Sequence, residues 1–311
     1  MKRIAFISSL GFLVIACGDD GGGNDIDAGA DATAAVSCPG SQGAANPGFI
    51  CPTAVATAWT EDQGVFTEVG PADFSCLGTP STDTATTVDV NLSGLVVDFQ
   101  TNAPVADATV SLFPGVDSAT VLATATSGAD GSYAMTMPTG QVRVGYLIAA
   151  ADYLDTFLLN QYFEPDTADQ TRHISAVSVN TANLLPAIIG ITRTPGLGVL
   201  AAAIRDCSGN TVSNVIATVS GTSGSHDHLD GGQSYYFSNG LPTNLTVQQQ
   251  TNNDGLFVVL ELPPSETAYL QVWGFTSEQD PAIDALTLLG EIPAPIVGDT
   301  VVSASLEPLR N

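Results

Sequence analysis

The chain has 311 residues, 44% of them hydrophobic, with 32 acidic against seven basic residues and a formal net charge of −25. That length leaves room for two domains. The charge excludes a nucleic-acid partner, because phosphate binding needs basic patches, and excludes electrostatic docking on an anionic membrane surface. It reads as solubility in a crowded extracellular setting, or as a surface that attracts divalent cations.

Lys2 and Arg3 make a positive start, and Ile4 to Ala16 follow as an apolar run broken only by Ser8, Ser9 and Gly11. A membrane span needs ~20 apolar residues, so this run is too short to cross. A basic start, a short apolar region and small residues before a cut are the marks of a secretory signal. Val14-Ile15-Ala16-Cys17 resembles the bacterial lipobox: an apolar pair, a small residue and the cysteine. The resemblance implies that residues 1–16 are removed, that Cys17 is lipidated, and that the protein is exported and anchored to a bacterial membrane. Gly18 after Cys17 favours the outer membrane by the same resemblance. The alternative is an ordinary signal cut elsewhere, with Cys17 incidental. Cleavage before Cys17 removes two basic residues and no acid, taking the formal charge from −25 to −27. Residues 17–37 are mostly Gly, Asp and Ala, too poor in apolar surface to order themselves, and read as a flexible tether.

Residues 38–87 form a small Cys-bearing region with Trp59, Phe66 and Phe74 as its large apolar residues. It is too small and polar to fold alone without disulfides or a neighbour to pack on. Cys38, Cys51, Cys76 and Cys207 are an even set in an exported chain and suggest two disulfides. Three pairings are possible, and each ties Cys207 back to the N-terminal region. No Cys-x-x-Cys zinc spacing is present.

Residues 88–180 carry short runs rich in Val, Leu, Thr and aromatics: VDVNLSGLVVDF, ADATVSLF, TVLATATS, GSYAMTMP and QVRVGYLIAA. Turn formers separate them, as strands of an antiparallel sandwich require. Asp130-Gly131 between two such runs predicts a hairpin. Residues 181–195 form a linker in which Leu184, Leu185, Ile188 and Ile189 recur at helical spacing behind Thr181 as a cap, with Pro186 in the first turns. Residues 196–311 repeat the pattern of the first unit. LGVLAAAIRD echoes LSGLVVDF, NTVSNVIATVSG echoes APVADATVSLF, TNNDGLFVVLELPP echoes TSGADGSYAMTMPTG, and YLQVWGF echoes VRVGYLIAA. TVVSASLEPL supplies a closing strand. Two such units are an internal repeat rather than a solenoid.

The first unit places Gly94, Val96, Asp98, Pro104, Val105, Ala108, Val110, Asp130, Gly131, Tyr133, Pro138 and Gly140 in one order. The second answers with Gly198, Asp206, Val212, Val215, Asp254, Gly255, Phe257 and Pro263. This order resembles the carboxypeptidase regulatory-like, transthyretin-like (prealbumin-like) β-sandwich, over 88–165 and more loosely over 196–311. The resemblance implies a non-catalytic module that packs beside enzymes, mediates adhesion or binds carbohydrate. The path from Gly198 to Asp254 is longer than that from Gly94 to Asp130, with the extra residues near 221–247, and such insertions usually form loops.

That insertion holds GSHDHLDGG. His226 and His228 in a His-x-His pattern would point to one face of a strand and share a divalent metal, with Asp230 as a carboxylate ligand. The alternative is a polar surface loop with chance histidines. Tyr235, Tyr236 and Phe237 follow, and Tyr153, Phe157, Tyr162 and Phe163 end the first unit. Aromatic rings can stack on sugars if two lie exposed side by side; otherwise they fill the sandwich core. His173 is isolated near a strand end. Gly-x-Gly-x-x-Ala at 196–201 leads into a strand rather than a helix and is no dinucleotide fingerprint. No nucleophile elbow, zincin or phosphate-loop motif is present.

The expected fold is therefore all-β: tandem antiparallel sandwiches with a short helix between them. The expected role is a non-enzymatic lipoprotein of the cell envelope without a cofactor, held to the membrane by its lipid and meeting polysaccharide or envelope proteins. A carbohydrate-binding module and a metal-dependent hydrolase built on His226 and His228 are the alternatives.

Overall fold

The computed structural model describes residues 51–225, 228–277 and 286–310. Strands dominate, and the only helix among the described residues is a short one. The first strands, β1 (Thr57–Asp62) and β2 (Val65–Pro71), form a hairpin around Gln63 and Gly64, both at positive φ. The first sandwich then comprises β3 (Val90–Asp98), β4 (Thr109–Pro114), β5 (Ala123–Thr126), β6 (Ser132–Met137), β7 (Arg143–Ala149), β8 (Tyr153–Tyr162), β9 (Asp169–Thr171) and β10 (Ile174–Ser178). Helix α1 (Val179–Ile188) follows. The second sandwich holds β11 (Gly198–Ile204), β12 (Thr211–Ser213), β13 (Ile216–Ser220), β14 (Gln233–Ser238), β15 (Leu241–Thr243), β16 (Leu256–Leu262), β17 (Tyr269–Gly274), β18 (Thr287–Pro293) and β19 (Thr300–Leu306).

The two halves share one pairing scheme. In the first, β3 pairs antiparallel with β6 and parallel with β10, while β4 pairs with β7 and β7 with β8. In the second, β11 pairs antiparallel with β16 and parallel with β19, while β13 pairs with β17 and β17 with β18. The repeat legible in the sequence is thus a repeat of topology. Strand alternation explains the two cores. β6 reads exposed–buried along its length, and its Tyr133, Met135 and Met137 meet Val90, Leu92, Val110, Leu112, Tyr146 and Ile148. In the second half Leu200, Ile204, Phe257, Val259, Leu270 and Val272 do the same. Each such side chain withdrawn from water contributes about 1.5–3 kcal/mol.

The halves are fused rather than merely adjacent. β8 pairs with β7 on one edge, and parallel with β19 over Asp155–Leu159 on the other. Phe113 and Leu159 of the first sandwich belong to the core cluster of the second. The N-terminal region packs on the second half, where β1 pairs with β12 and Cys76 is bonded to Cys207. Cys51 is also disulfide-bonded; Cys38 and Cys17 lie outside the described residues.

Three local expectations are corrected. Asp130-Gly131 is not a hairpin, since β5 pairs with β4 and β6 with β3, so the turn carries the chain from one sheet to the other. The insertion after β13 is not only loop, because it contributes β14 and β15 to the edge of the β16–β11–β19 sheet. Asn239-Gly240, both at positive φ, is the signal that marks this hairpin. Helix α1 begins before Thr181. Ser178 is its cap, its Oγ accepting from Thr181 N–H at 3.2 Å, and Pro186 falls near its end. Thr181, Ala182 and Pro186 are buried, whereas Leu184 and Ile188 are about half exposed (48% and 49%).

Candidate functional site

The motif residues of the two units make matching hydrogen bonds. Asp98 is buried and its Oδ1 accepts from Gln100 N–H, Thr101 N–H and Thr101 Oγ1 at 2.8–3.1 Å. Asp206, also buried, accepts at Oδ1 from Ser208 and Asn210 N–H, and at Oδ2 from Asp73 N–H. Gly131 and Gly255 sit at φ +77° and +65°, each beneath a backbone carbonyl (Val96 and Ile204) that a Cβ would strike. Gly131 O receives Val96 N–H and Gly255 O receives Ile204 N–H. Ser127 and Thr251 complete the correspondence: each side-chain oxygen accepts the backbone N–H of Ala108 or Val215. These residues stabilise the turns, and their carboxylates are spent on backbone donors.

The electrostatic environments of the two Asp-Gly turns differ. Asp130 is exposed, and the hydroxyl and N–H of Ser132 hold its pKa below the ordinary value. Asp254 is buried, and desolvation raises its carboxyl from 3.8 to about 6 against the N–H it accepts from Leu256.

The loop containing His228 docks on β13, where Leu229 N–H bonds Val219 O at 2.8 Å. Val219 N–H donates to His228 Nδ1 at 3.3 Å, and Ser234 Oγ lies 3.2 Å from Nε2. A neutral ring with its hydrogen on Nε2 satisfies both contacts. Burial lowers its pKa from 6.5 to about 4. Asp230 is exposed, and His226 lies outside the described residues. No group of three or more metal-ligating side chains occurs among the described residues. His228 is thus occupied on both ring nitrogens by its own fold, which corrects the expectation of a ring turned toward a shared metal.

The aromatic run is likewise internal. Tyr236 is fully buried in the second core, and its hydroxyl accepts Ala217 N–H at 3.2 Å. Tyr235 and Phe237 point to the other face of β14, where they pack with Ala182, Ile189 and Val258 beneath α1. At 6%, 0% and 9% exposure these rings form no stacking platform. Among the aromatics of the first unit Phe163 is buried under Arg172, Tyr162 lies under Arg143, and Phe157 meets Phe113 edge-on at 6.2 Å. His173 is exposed, its Nδ1 accepting from Leu95 N–H.

Two open grooves of about 460 Å³ each mark the first sandwich. One is lined by Asn91, Ser93, Thr136, Asp169 and Thr171, the other by Asp98, Thr101, Asp152, Tyr153 and Asn180. Neither lining holds a His, Cys or Lys side chain.

The architecture defines a class: an all-β protein of two fused sandwiches whose motif residues serve the scaffold. No family model matches the chain, and no curated protein matches it. Among solved structures, the Bacillus anthracis TIE protein is similar at 12% identity and a TM-score of 0.25, over 81% of this chain and 39% of that one. A 3-chlorocatechol 1,2-dioxygenase from Rhodococcus opacus 1CP is similar at 13% identity and a TM-score of 0.23, over 39% and 73% of the two chains. The shaft pilin SpaA from Lactobacillus rhamnosus GG is similar at 10% identity and a TM-score of 0.21, over 72% and 98%. The chain spans about two fifths of the length of the TIE protein. Likenesses this distant carry no activity across to this chain.

Proposed function

We propose that this protein is an exported lipoprotein of the bacterial cell envelope, anchored through Cys17 to the outer membrane, with a non-catalytic binding or structural role. The observation that carries the reading is the Cys76–Cys207 disulfide, which joins the N-terminal region to the second sandwich. Such bonds persist in oxidising compartments outside the cytoplasm. The signal-like opening, the Val14–Cys17 pattern and the Gly/Asp tether agree with it. The strong negative charge keeps an anchored body soluble and away from anionic headgroups. The scaffold use of Asp98, Asp206, His228 and the Tyr235–Phe237 run supports a body that acts through its surface rather than a catalytic centre.

Cys17→Ser tests the reading. Palmitate labelling should be abolished and the protein should move from the membrane to the soluble fraction. Labelling or membrane retention in the variant would refute the anchor.

A further inference from the structure

The second sandwich carries a polar trio that its scaffold does not require. Thr218 on β13 and Gln271 on β17 are directly paired in register, and both are 0% exposed. Thr218 Oγ1 donates to Gln271 Oε1 at 3.2 Å. Gln271 Nε2 donates to Thr222 O at 3.1 Å and to Glu291 Oε2 at 2.7 Å, Glu291 being its register partner on β18. Two acceptors at Nε2 fix the amide orientation, so its carbonyl faces the hydroxyl. Trp273 Nε1–H donates to Thr218 Oγ1 at 3.0 Å, which leaves one lone pair on that oxygen. Glu291 is itself held by Ser223 Oγ at Oε1 and Gly224 N–H at Oε2.

The first sandwich is an internal control. Matching Ala108 with Val215, which make the same bonds to Ser127 and Thr251, sets Ser111 opposite Thr218 in the alignment of the halves. The register of β4, β7 and β8 then puts Leu147 where Gln271 stands and Phe157 where Glu291 stands. The same topology forms there without an amide or a carboxylate at these positions.

From this geometry we propose that Thr218 and Gln271 form an intramolecular ester that ties β13 to β17 covalently. Thr218 Oγ1 attacks Gln271 Cδ, and the hydroxyl proton crosses to Oε1, which it already faces. As the adduct collapses, that proton is returned from Oε1 to Nε2, and the Glu291 carboxylate, 2.7 Å from Nε2, stabilises the positive charge that develops on the departing nitrogen. The Cδ–Nε2 bond breaks, ammonia leaves, and Oε1 becomes the ester carbonyl. Nothing is oxidised or reduced, and Glu291 is unchanged. Register holds nucleophile and carbonyl together, which is the entropic part of the barrier, and burial keeps water from the product. The bond would brace the three-stranded β13–β17–β18 sheet against shear. The ester goes beyond the envelope reading and does not depend on it.

Peptide mapping of the folded, purified full chain by mass spectrometry, after reduction of its disulfides, tests this independently of any processing at the N-terminus. The expected result is one branched peptide joining the Thr218 and Gln271 segments, lighter by one ammonia than their sum. Mild base should split it with uptake of one water, leaving Glu at 271. Thr218→Ser should keep the link. Thr218→Val and Glu291→Gln should give two separate peptides with Gln271 intact. Separate peptides and an intact Gln271 in the wild-type protein would overturn the proposal and leave the trio as an ordinary hydrogen-bonded cluster.

Discussion

Two desolvated ionisable residues, the half-buried His228 and the buried Asp254, set opposite pH responses. His228 titrates near 4 in the folded chain and near 6.5 when unfolded. Between those values the unfolded chain binds the extra proton, so stability is lost as pH falls. Asp254 titrates near 6 folded and near 3.8 unfolded, so the folded chain binds the extra proton and this residue's contribution falls as pH rises. Asp254→Asn keeps an oxygen for Leu256 N–H and removes the buried charge. It should be more stable than wild type at pH 7, by about 3 kcal/mol if the whole shift is realised, and the difference should vanish below pH 4. Paired urea titrations across pH check both statements. A stability difference independent of pH would show that burial does not penalise the Asp254 charge.

At the scale of elements, the N-terminal hairpin has little core of its own. β2 is largely exposed, with Val65 and Val69 facing water, and the region is held through β1–β12 pairing and the disulfide. Cys76 and Cys207 are 131 residues apart, so their bond removes much freedom from the unfolded chain. Such a bond is worth about 2–4 kcal/mol. The double variant Cys76→Ser with Cys207→Ser should therefore lower the urea midpoint. It should also expose residues 72–87 to protease before either sandwich is cut. An unchanged midpoint with an unchanged cleavage pattern would show that strand pairing alone holds the region.

At the scale of the molecule, the two sandwiches share a strand and a core. β8 bonds to β19, Phe113 and Leu159 are buried with second-half residues, and Arg143 reaches across three regions. Its Nε donates to Asp83 at 2.7 Å and its Nη2 to Glu307 at 2.8 Å, and these partners raise its already high pKa further against the cost of burial. Calorimetry should therefore give one cooperative transition for residues 51–310. Two transitions, or a folded first half after the second has melted, would contradict a shared core. An Arg143→Met variant should loosen the N-terminal region before it separates the sandwiches.

The strands were legible because period-two alternation and turn formers report directly on which side chains face a core. β3 to β6 fall on runs with such alternation, whereas β7, β11, β13, β16 and β17 fall on nearly continuous apolar runs set off by turn formers. The misread elements depend on distant partners. The Asp130-Gly131 turn has a hairpin's local chemistry, but Val96 and Pro104 wait above Gly131, and so it turns a corner between sheets. The helix buries Thr181 and Ala182 because β8, β10 and β15 lie on that side, which no periodicity within 179–188 states. Tyr235, Tyr236 and Phe237 would serve equally as a platform or as core until the second core closes over Tyr236 on one face of β14 and α1 packs over Tyr235 and Phe237 on the other.

What the amino-acid order determines by itself is therefore the all-β class and the twofold repeat, since these rest on local sterics and periodicity. Only the tertiary structure decided that the halves fuse through β8 and β19, that Cys207 is bonded to Cys76, and that Thr218, Gln271 and Glu291 stand in line across three strands. Each of those juxtaposes residues far apart in the chain. Register between strands is set by the summed burial of whole faces, not by the few residues it brings together.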